Sequence, residues 1–364
     1  LNGTVEIIAR EINMRGVISF ARFMKLALYC PDYGYYEKEE DKTGRRGDFF
    51  TSVSVGSLFG ELLAFQFADW IEELQCANFK VRIVEAGAHD GRLAKDILLW
   101  LREYRPKIFN PIEYCIVEPS LRRQRWQKQT LREFDSKVRY VSEPGNLDDG
   151  VCGIMFSNEL LDAMPVHRLG WDAKNKIWFE WGVMLAGDKF VWARMPELTI
   201  SNSKFQPPSL PAELLKILPD GFTTEISPAA AQWWRDAAQT LRRGKLLAID
   251  YGLMAEEFFT PERSEGTLRG YYRHHLIFDL LANPGEQDLT AQVNFTVIQN
   301  VGESAGLKTE TFIPQSGFLA QIAKQTTKNS TGFGPWDSAR ARQFQTLTHP
   351  EHLRRAFRVL IQSR

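Results

Sequence analysis

The sequence predicts an α/β protein with a parallel sheet and helices on both faces, and three observations carry that prediction. Strand-like and helix-like patterns alternate between residues 81 and 158, the sequence form of βαβ units. The stretch "VRIVEAGAHDGRLAKDILLWL" reads as strand, tight turn and helix. The runs "IEYCIVE", "CGIMFSN" and "KLLAIDYG" are short and mostly apolar, as strands covered on both faces are.

The elements follow in order. "SFARFMKLALY" predicts a helix with Ser19 as N-cap and Phe23, Leu26 and Ala27 on one face, ending before Pro31. "PDYGYYEKEEDKTGRRGDFF" reads as a loop, and "SLFGELLAFQFADWIEEL" as a second amphipathic helix. Next come strand 81–86, helix 91–104, strand 112–118, helix 120–134, a short strand 138–141 and strand 152–158. "KIWFEWGVMLAGDKFVWARM" alternates at period two around "AGDK", the pattern of a β-hairpin. "FTTEISPAAAQWWRDAAQTLRRG" predicts a helix closed by Gly244. Residues 260–295 are polar with little periodicity, and connections this long are functional or disordered. "FTVIQNVGESAG" predicts a last core helix, and "LKTETFIPQSGFLAQI" a strand followed by a helix. The expected division is a helical extension over 1–76, a sheet core of 77–165 with 222–364, and an inserted β-hairpin and proline-rich region over 166–221.

Bulk properties narrow the function. Lys plus Arg and Asp plus Glu both number 45, for a formal net charge of +0, so no global field favours nucleic acid or an anionic membrane. No apolar run is long enough to span a bilayer. The opening "LNGTVEIIAREI" lacks the apolar core of a signal peptide, so a cytoplasmic protein is expected, or one of the mitochondrial matrix if a targeting peptide has been trimmed. The 4 cysteines are scattered without a CxxC pair, which predicts reduced thiols and no disulfide framework. The 6 histidines have no metal-ligand spacing, so no metal is expected. The 10 tryptophans read as packing residues.

The turn after the first strand carries the chemistry. It spaces Glu85, Gly87 and Gly91 as E-x-G-x-x-x-G, short of the third glycine that dinucleotide turns use against a pyrophosphate. An acid at the mouth of the turn repels a pyrophosphate and suits a cationic ligand. S-adenosylmethionine has an ammonium, a sulfonium and no phosphate, so the turn fits it better than the rival nicotinamide cofactor of an oxidoreductase. Glu118 ends the second strand, where an acid can accept from ribose hydroxyls or cap the helix beginning near Ser120. Asn158, Glu159 and Asp162 directly follow the fourth strand. They can hydrogen-bond the cofactor or a nitrogen nucleophile, or cap a helix.

Taken together, these segments resemble the MidA family, which includes a mitochondrial complex I assembly factor acting as a protein arginine methyltransferase. The resemblance covers most of the chain. "ISFARFMKLALYCPDYGYY" and "GDFFTSVSVGSLFGELLA" are similar to the family's opening, "VEAGAHDGRLAKDIL" to its cofactor turn and "FSNELLDAMPVHRL" to its post-strand motif. "IDYG", "GTLRGYYRHH", "NPGEQDLTAQVNF" and "HPEHLRRAFRVL" are similar to later segments. The chain departs from the family at Ala88 and His89, where a proline and a glycine are usual, and at Val53 and Ser54.

The resemblance implies a Rossmann-like class I methyltransferase fold with S-adenosylmethionine as methyl donor. Carried over by position, Glu85, Gly87 and Gly91 hold the methionine end of the donor, Glu118 the ribose, and Leu147 packs on the adenine. The 1–76 extension acts as a lid, with Gly34, Tyr35, Gly47, Asp48 and Thr51 closing over the donor. Asn158, Glu159 and Asp162 face the methyl acceptor. A guanidinium acceptor needs a nearby acid to take its proton, which makes Glu159 and Asp162 the catalytic candidates. A hydroxyl acceptor needs a base such as His274 or His275. The acceptor is then a protein or a small molecule, with a non-catalytic assembly factor as a further alternative. A homodimer stays among the open oligomeric states.

Overall fold

The computed structural model describes residues 3–38, 51–74, 80–147, 149–202, 208, 210–272, 275–328, 332–349 and 357–364. Its largest sheet sets seven strands side by side in the order Lys308–Pro314, Phe357–Ser363, Leu241–Leu253, Val151–Asn158, Val81–Ala86, Glu113–Val117 and Val138–Val141. The five from Leu241–Leu253 to Val138–Val141 are parallel, and Phe357–Ser363 runs antiparallel to both its neighbours. From Val81–Ala86 the chain steps outward twice, then returns to the other side of its starting strand at Val151–Asn158. Strand order therefore reverses between these two strands, and in open parallel sheets ligands bind outside the carboxyl ends at such a point.

The pleat divides the core into two layers. Ile83, Tyr114, Ile116, Ile154 and Phe156 pack with the helices Leu58–Glu73 and Arg92–Tyr104. Val84, Cys115, Val117 and Met155 pack on the opposite face with the helices Pro228–Thr240 and Phe295–Ser304. Successive residues of one strand thus serve opposite faces, as the period of two requires. That is why these strands carry consecutive apolar residues, broken in Val81–Ala86 by Arg82 and Glu85. Among the described residues, no helix is long and apolar enough to cross a membrane.

A second sheet flanks the core. The expected hairpin forms from Ile177–Ala186 and Lys189–Arg194, and is joined by His167–Asp172, Thr223–Ile226 and Ile18–Ser19. The helix Phe20–Tyr29 begins at Ser19, whose hydroxyl accepts from the Arg22 amide. Ile8, Phe20, Phe23 and Val183 share a cluster with Leu268, Leu289 and Ala291, which anchors the N-terminal helices against the segment that follows residue 260.

Four expectations are corrected. "FTTEIS" does not join a helix: Thr223–Ile226 is a strand, and the helix Pro228–Thr240 starts behind Ser227, whose hydroxyl accepts from the Ala230 amide. Gly244 does not close that helix but lies inside the strand Leu241–Leu253 at φ +126°, where a Cβ would stand 1.9 Å from the Gly153 carbonyl oxygen. Glycine is needed there for two neighbouring backbones to approach. Residues 260–295 are not structureless, since Arg269–Tyr272, His275–Ile277 and Asp288–Thr290 form a three-stranded sheet. Strands this short leave no readable alternation. Cys30 and Cys115 are buried free thiols, but Cys152 is disulfide-bonded, against the expectation of wholly reduced cysteines.

Candidate active site

A cavity of about 460 Å³ opens at the carboxyl ends of Val81–Ala86 and Val151–Asn158. One end is formed by the turn after the first strand. Glu85 is 2% exposed, and its Oε2 accepts from the Tyr114 hydroxyl at 2.7 Å. Burial pushes its carboxyl up to about 8, against the pull of that hydrogen bond. Gly87 sits at φ +74°, and a Cβ there would come within 2.9 Å of Leu160 Cδ1, so the turn packs directly on the loop after the fourth strand. His89 adopts φ +46°, a left-handed conformation that costs a side chain energy and that glycine takes freely. Its carbonyl accepts from Gln127 Nε2 at 3.0 Å. Burial alone would raise Asp90, but the neighbouring His89 and Arg92 outweigh it and hold the carboxyl at about 2.

A second wall, adjoining the turn through Leu160, is assembled around Asp250. This fully buried carboxylate accepts at Oδ2 from the Leu160 and Leu161 amides (3.1 and 2.8 Å) and at Oδ1 from the Tyr251 amide (2.8 Å). It fixes the loop that starts at Glu159, itself held at φ +52° with its amide donating to the Ile249 carbonyl at 2.9 Å. Burial, followed by the Asp250 charge, pushes the Glu159 carboxyl up to about 8. The same causes, with the Glu159 charge added, push Asp162 well above the carboxylate range. Burial raises Asp250 to about 6, opposed by the three amides.

A third wall comes from distant segments. The Tyr36 hydroxyl donates to Asp288 Oδ1 at 2.7 Å. Tyr29 stacks on Tyr36 with centroids 5.5 Å apart and donates to the Ala163 carbonyl at 2.9 Å. Arg123 lies 5.6 Å from the Tyr36 ring centroid and 3.3 Å from Glu118 Oε2. Among the described residues, Asn158 Oδ1 and Gln292 Oε1, on two residues lining the cavity, are buried acceptors without a hydrogen-bond partner. Unmet acceptors beside raised carboxyls form a site that gains most from a cation bearing several N–H donors.

Of the residues singled out from the sequence, Thr51, Glu85, Gly87, Asn158, Glu159 and Asp162 line this cavity. Gly91 stands just behind it as the N-cap of helix Arg92–Tyr104, at φ +85°. Glu118 is 2% exposed and sits next to the cavity through Arg123, while its Oε1 accepts from the Ser120 amide at 3.0 Å. Both functions considered for it, ribose acceptor and local cap, use the same carboxylate. Gly34 and Tyr35 are packed beneath the wall, and the neighbouring Tyr36 is the side chain that reaches the cavity. Leu147 is buried with Val84, Val117 and Val141, and His275 is exposed; neither lines the cavity. Gly47, Asp48 and His274 lie outside the described residues. Tyr29, Tyr36, Arg123, Asp250 and Asp288 also belong to the site, though nothing in the sequence analysis marks them as site residues. The length of the 260–295 connection pointed towards Asp288, and "IDYG" contained Asp250, but nothing local marked Tyr29, Tyr36 or Arg123.

An acid-bearing glycine turn at the switch point of a parallel sheet fits a class of enzymes that bind S-adenosylmethionine and transfer its methyl group. The sequence profile of the family described as "Putative S-adenosyl-L-methionine-dependent methyltransferase" matches residues 62–313, and the chain belongs to that family. It is 29% identical over 326 residues to the Drosophila melanogaster protein arginine methyltransferase NDUFAF7 homolog, covering 81% of this chain and 69% of that protein. It is 28% identical to the Homo sapiens protein arginine methyltransferase NDUFAF7, covering 86% and 73%. Both are named mitochondrial proteins. A Burkholderia thailandensis crystal structure bound to S-adenosyl-homocysteine superposes with a TM-score of 0.82 at 29% identity, over 100% of this chain and 92% of the other. The donor of this family is S-adenosylmethionine, and the nicotinamide alternative gives way.

Proposed function

We propose that this methyltransferase acts on a guanidinium nitrogen of an arginine in an acceptor protein. One observation carries the reading: the cavity combines Glu159, Asp162 and Asp288 with the rings of Tyr29 and Tyr36. A delocalised cation with five N–H donors fits carboxylates and aromatic faces better than a hydroxyl does. The protein arginine methyltransferase names of the relatives support the same acceptor.

In this reading Glu85 and Gly87 hold the amino-acid end of the donor, with Asn158 accepting from its ammonium, Gly91 shaping the turn, Glu118 at the ribose and Thr51 closing the rim. S-adenosylmethionine supplies a methyl carbon made electrophilic by its sulfonium. Asp162 and Asp288 orient the acceptor nitrogen. Glu159 takes the proton that the nitrogen must lose, at Oε2, because Oε1 accepts from Asn158 Nδ2 at 3.2 Å. A guanidinium pKa lies above about 12 in water. A base raised to about 8 by burial narrows that gap more than an ordinary carboxylate does. The names of the relatives support a mitochondrial location, and the resemblance to the MidA family adds a link to complex I assembly.

The test is methyl transfer from labelled S-adenosylmethionine to arginine peptides. Wild type should label arginine but not citrulline peptides, and Glu159→Gln should lower kcat by about 10²–10⁴ while S-adenosylhomocysteine still binds. Equal labelling of both peptides, or an unimpaired Glu159→Gln, would overturn the reading.

A further inference from the structure

The three-stranded sheet has two unlike faces. Its register sets Tyr271 opposite both Leu276 and Asp288, and Arg269 opposite Thr290. Residues directly opposite in antiparallel strands share a face. Arg269, Tyr271, Asp288 and Thr290 all line the cavity, so Leu276 continues the cavity wall outward. On the other face, Leu289 is fully buried against the N-terminal helices. The strand His275–Ile277 is one of the two edge strands, and among the described residues no strand pairs with its far edge. Leu276 is 43% exposed, and Phe278, just beyond the strand, is 91% exposed. A wall that carries Arg269, Tyr271 and Asp288 inside the cavity thus becomes apolar and edge-exposed outside it.

We infer that this edge is the docking surface for the acceptor polypeptide: an extended segment pairs its backbone with His275–Ile277, sets an apolar side chain on Leu276 and Phe278, and delivers its arginine along the same face towards Asp288. The inference rests on the arginine reading above for the identity of the delivered residue. Two features favour this occupant over a second copy of the chain or a lipid surface. The shelf is continuous with a pocket whose carboxylates complement a cation, and an open strand edge offers an unpaired ladder of N–H and C=O groups to an extended chain.

The test is fluorescence-anisotropy binding of labelled arginine peptides to the full chain in the presence of S-adenosylhomocysteine. A leucine is scanned along the positions flanking the arginine, and serine-flanked and citrulline peptides serve as references. At one register the leucine should tighten binding by about tenfold. Leu276→Ser with Phe278→Ser should remove that gain without changing S-adenosylhomocysteine affinity or Tm. Phe278→Trp should give an emission blue shift on binding the leucine-flanked peptide only, a readout independent of the double variant's folding. No leucine effect at any register, or one that survives the double variant, would overturn the inference. If the leucine effect is present and shelf-dependent but citrulline binds as well as arginine, the docking surface stands and the arginine reading falls. If arginine is preferred without a flank effect, the arginine reading stands and the docking surface falls.

Discussion

Two walls of the cavity are built differently. The wall at Glu85 and Gly87 is one continuous piece of chain, with the strand Val81–Ala86, the turn and the helix Arg92–Tyr104 following without interruption. The wall at Glu159 is gathered from separate segments: Tyr29 and Tyr36 from the N-terminal extension, the loop after Val151–Asn158, Asp250 from the next strand, and Asp288 from the small sheet. A contiguous site is fixed by local backbone geometry. A gathered site depends on long-range hydrogen bonds such as Asp250 to Leu161 and Tyr36 to Asp288. The first can persist while acceptors change, and the second can be retuned one contact at a time.

The largest effect that would break this division is on the chemistry. Glu159→Gln should abolish most turnover, by the 10²–10⁴-fold estimated above, and leave donor binding intact, measured as kcat beside S-adenosylhomocysteine affinity. Next comes Gly87→Val. A side chain at φ +74° facing Leu160 should weaken donor binding by about 10- to 100-fold, read by calorimetry. Asp250→Asn replaces an acceptor with a donor beside amides that already donate to it. It should cost about 1–3 kcal/mol in chemical denaturation and impair turnover by loosening the Glu159 loop. Tyr36→Phe removes only the hydrogen bond to Asp288. It should raise the acceptor KM by about 3- to 10-fold with kcat little changed.

A further effect is on pH dependence, and it sharpens the comparison because both walls contribute. Glu85 and Glu159 each move from an ordinary 4.5 to about 8 in the folded chain. Between those values the folded state holds protons that the unfolded state has released, so stability is fullest below about 4.5 and falls as pH rises towards 8. Tm measured across this window should therefore decline through the contribution of these two groups. Glu85→Gln and Glu159→Gln should each flatten the decline, and S-adenosylhomocysteine should flatten the part due to Glu85 by giving its carboxylate a cationic partner.

The same contrast decides what could be read from the sequence. Strand-turn-helix order, the acid before the first glycine and the polar triplet after the fourth strand are local, and each was legible as residue type and spacing. Period-two alternation announced the hairpin around "AGDK" for the same reason. Tyr36 was missed by one position, because a loop gives no periodicity to say whether residue 35 or 36 faces inward. Asp250 was hidden inside an apolar strand, where its task is to bind amides some ninety residues earlier in the chain. Gly244 looked like a helix stop, because a glycine after a helical run cannot be told locally from one that lets two strands approach. The sheet within 260–295 has strands too short for any pattern, so its wall residues became visible only through their pairing register.

The most direct measurement is titration calorimetry of S-adenosylhomocysteine against wild type, Gly87→Val and Glu159→Gln, each shown to be folded. The account predicts binding to wild type, its loss in Gly87→Val, and near-wild-type affinity in Glu159→Gln. Equal loss in both variants would show that the two walls are one site for the donor and would contradict the division between them, and undiminished binding to Gly87→Val would remove the glycine turn from the donor site.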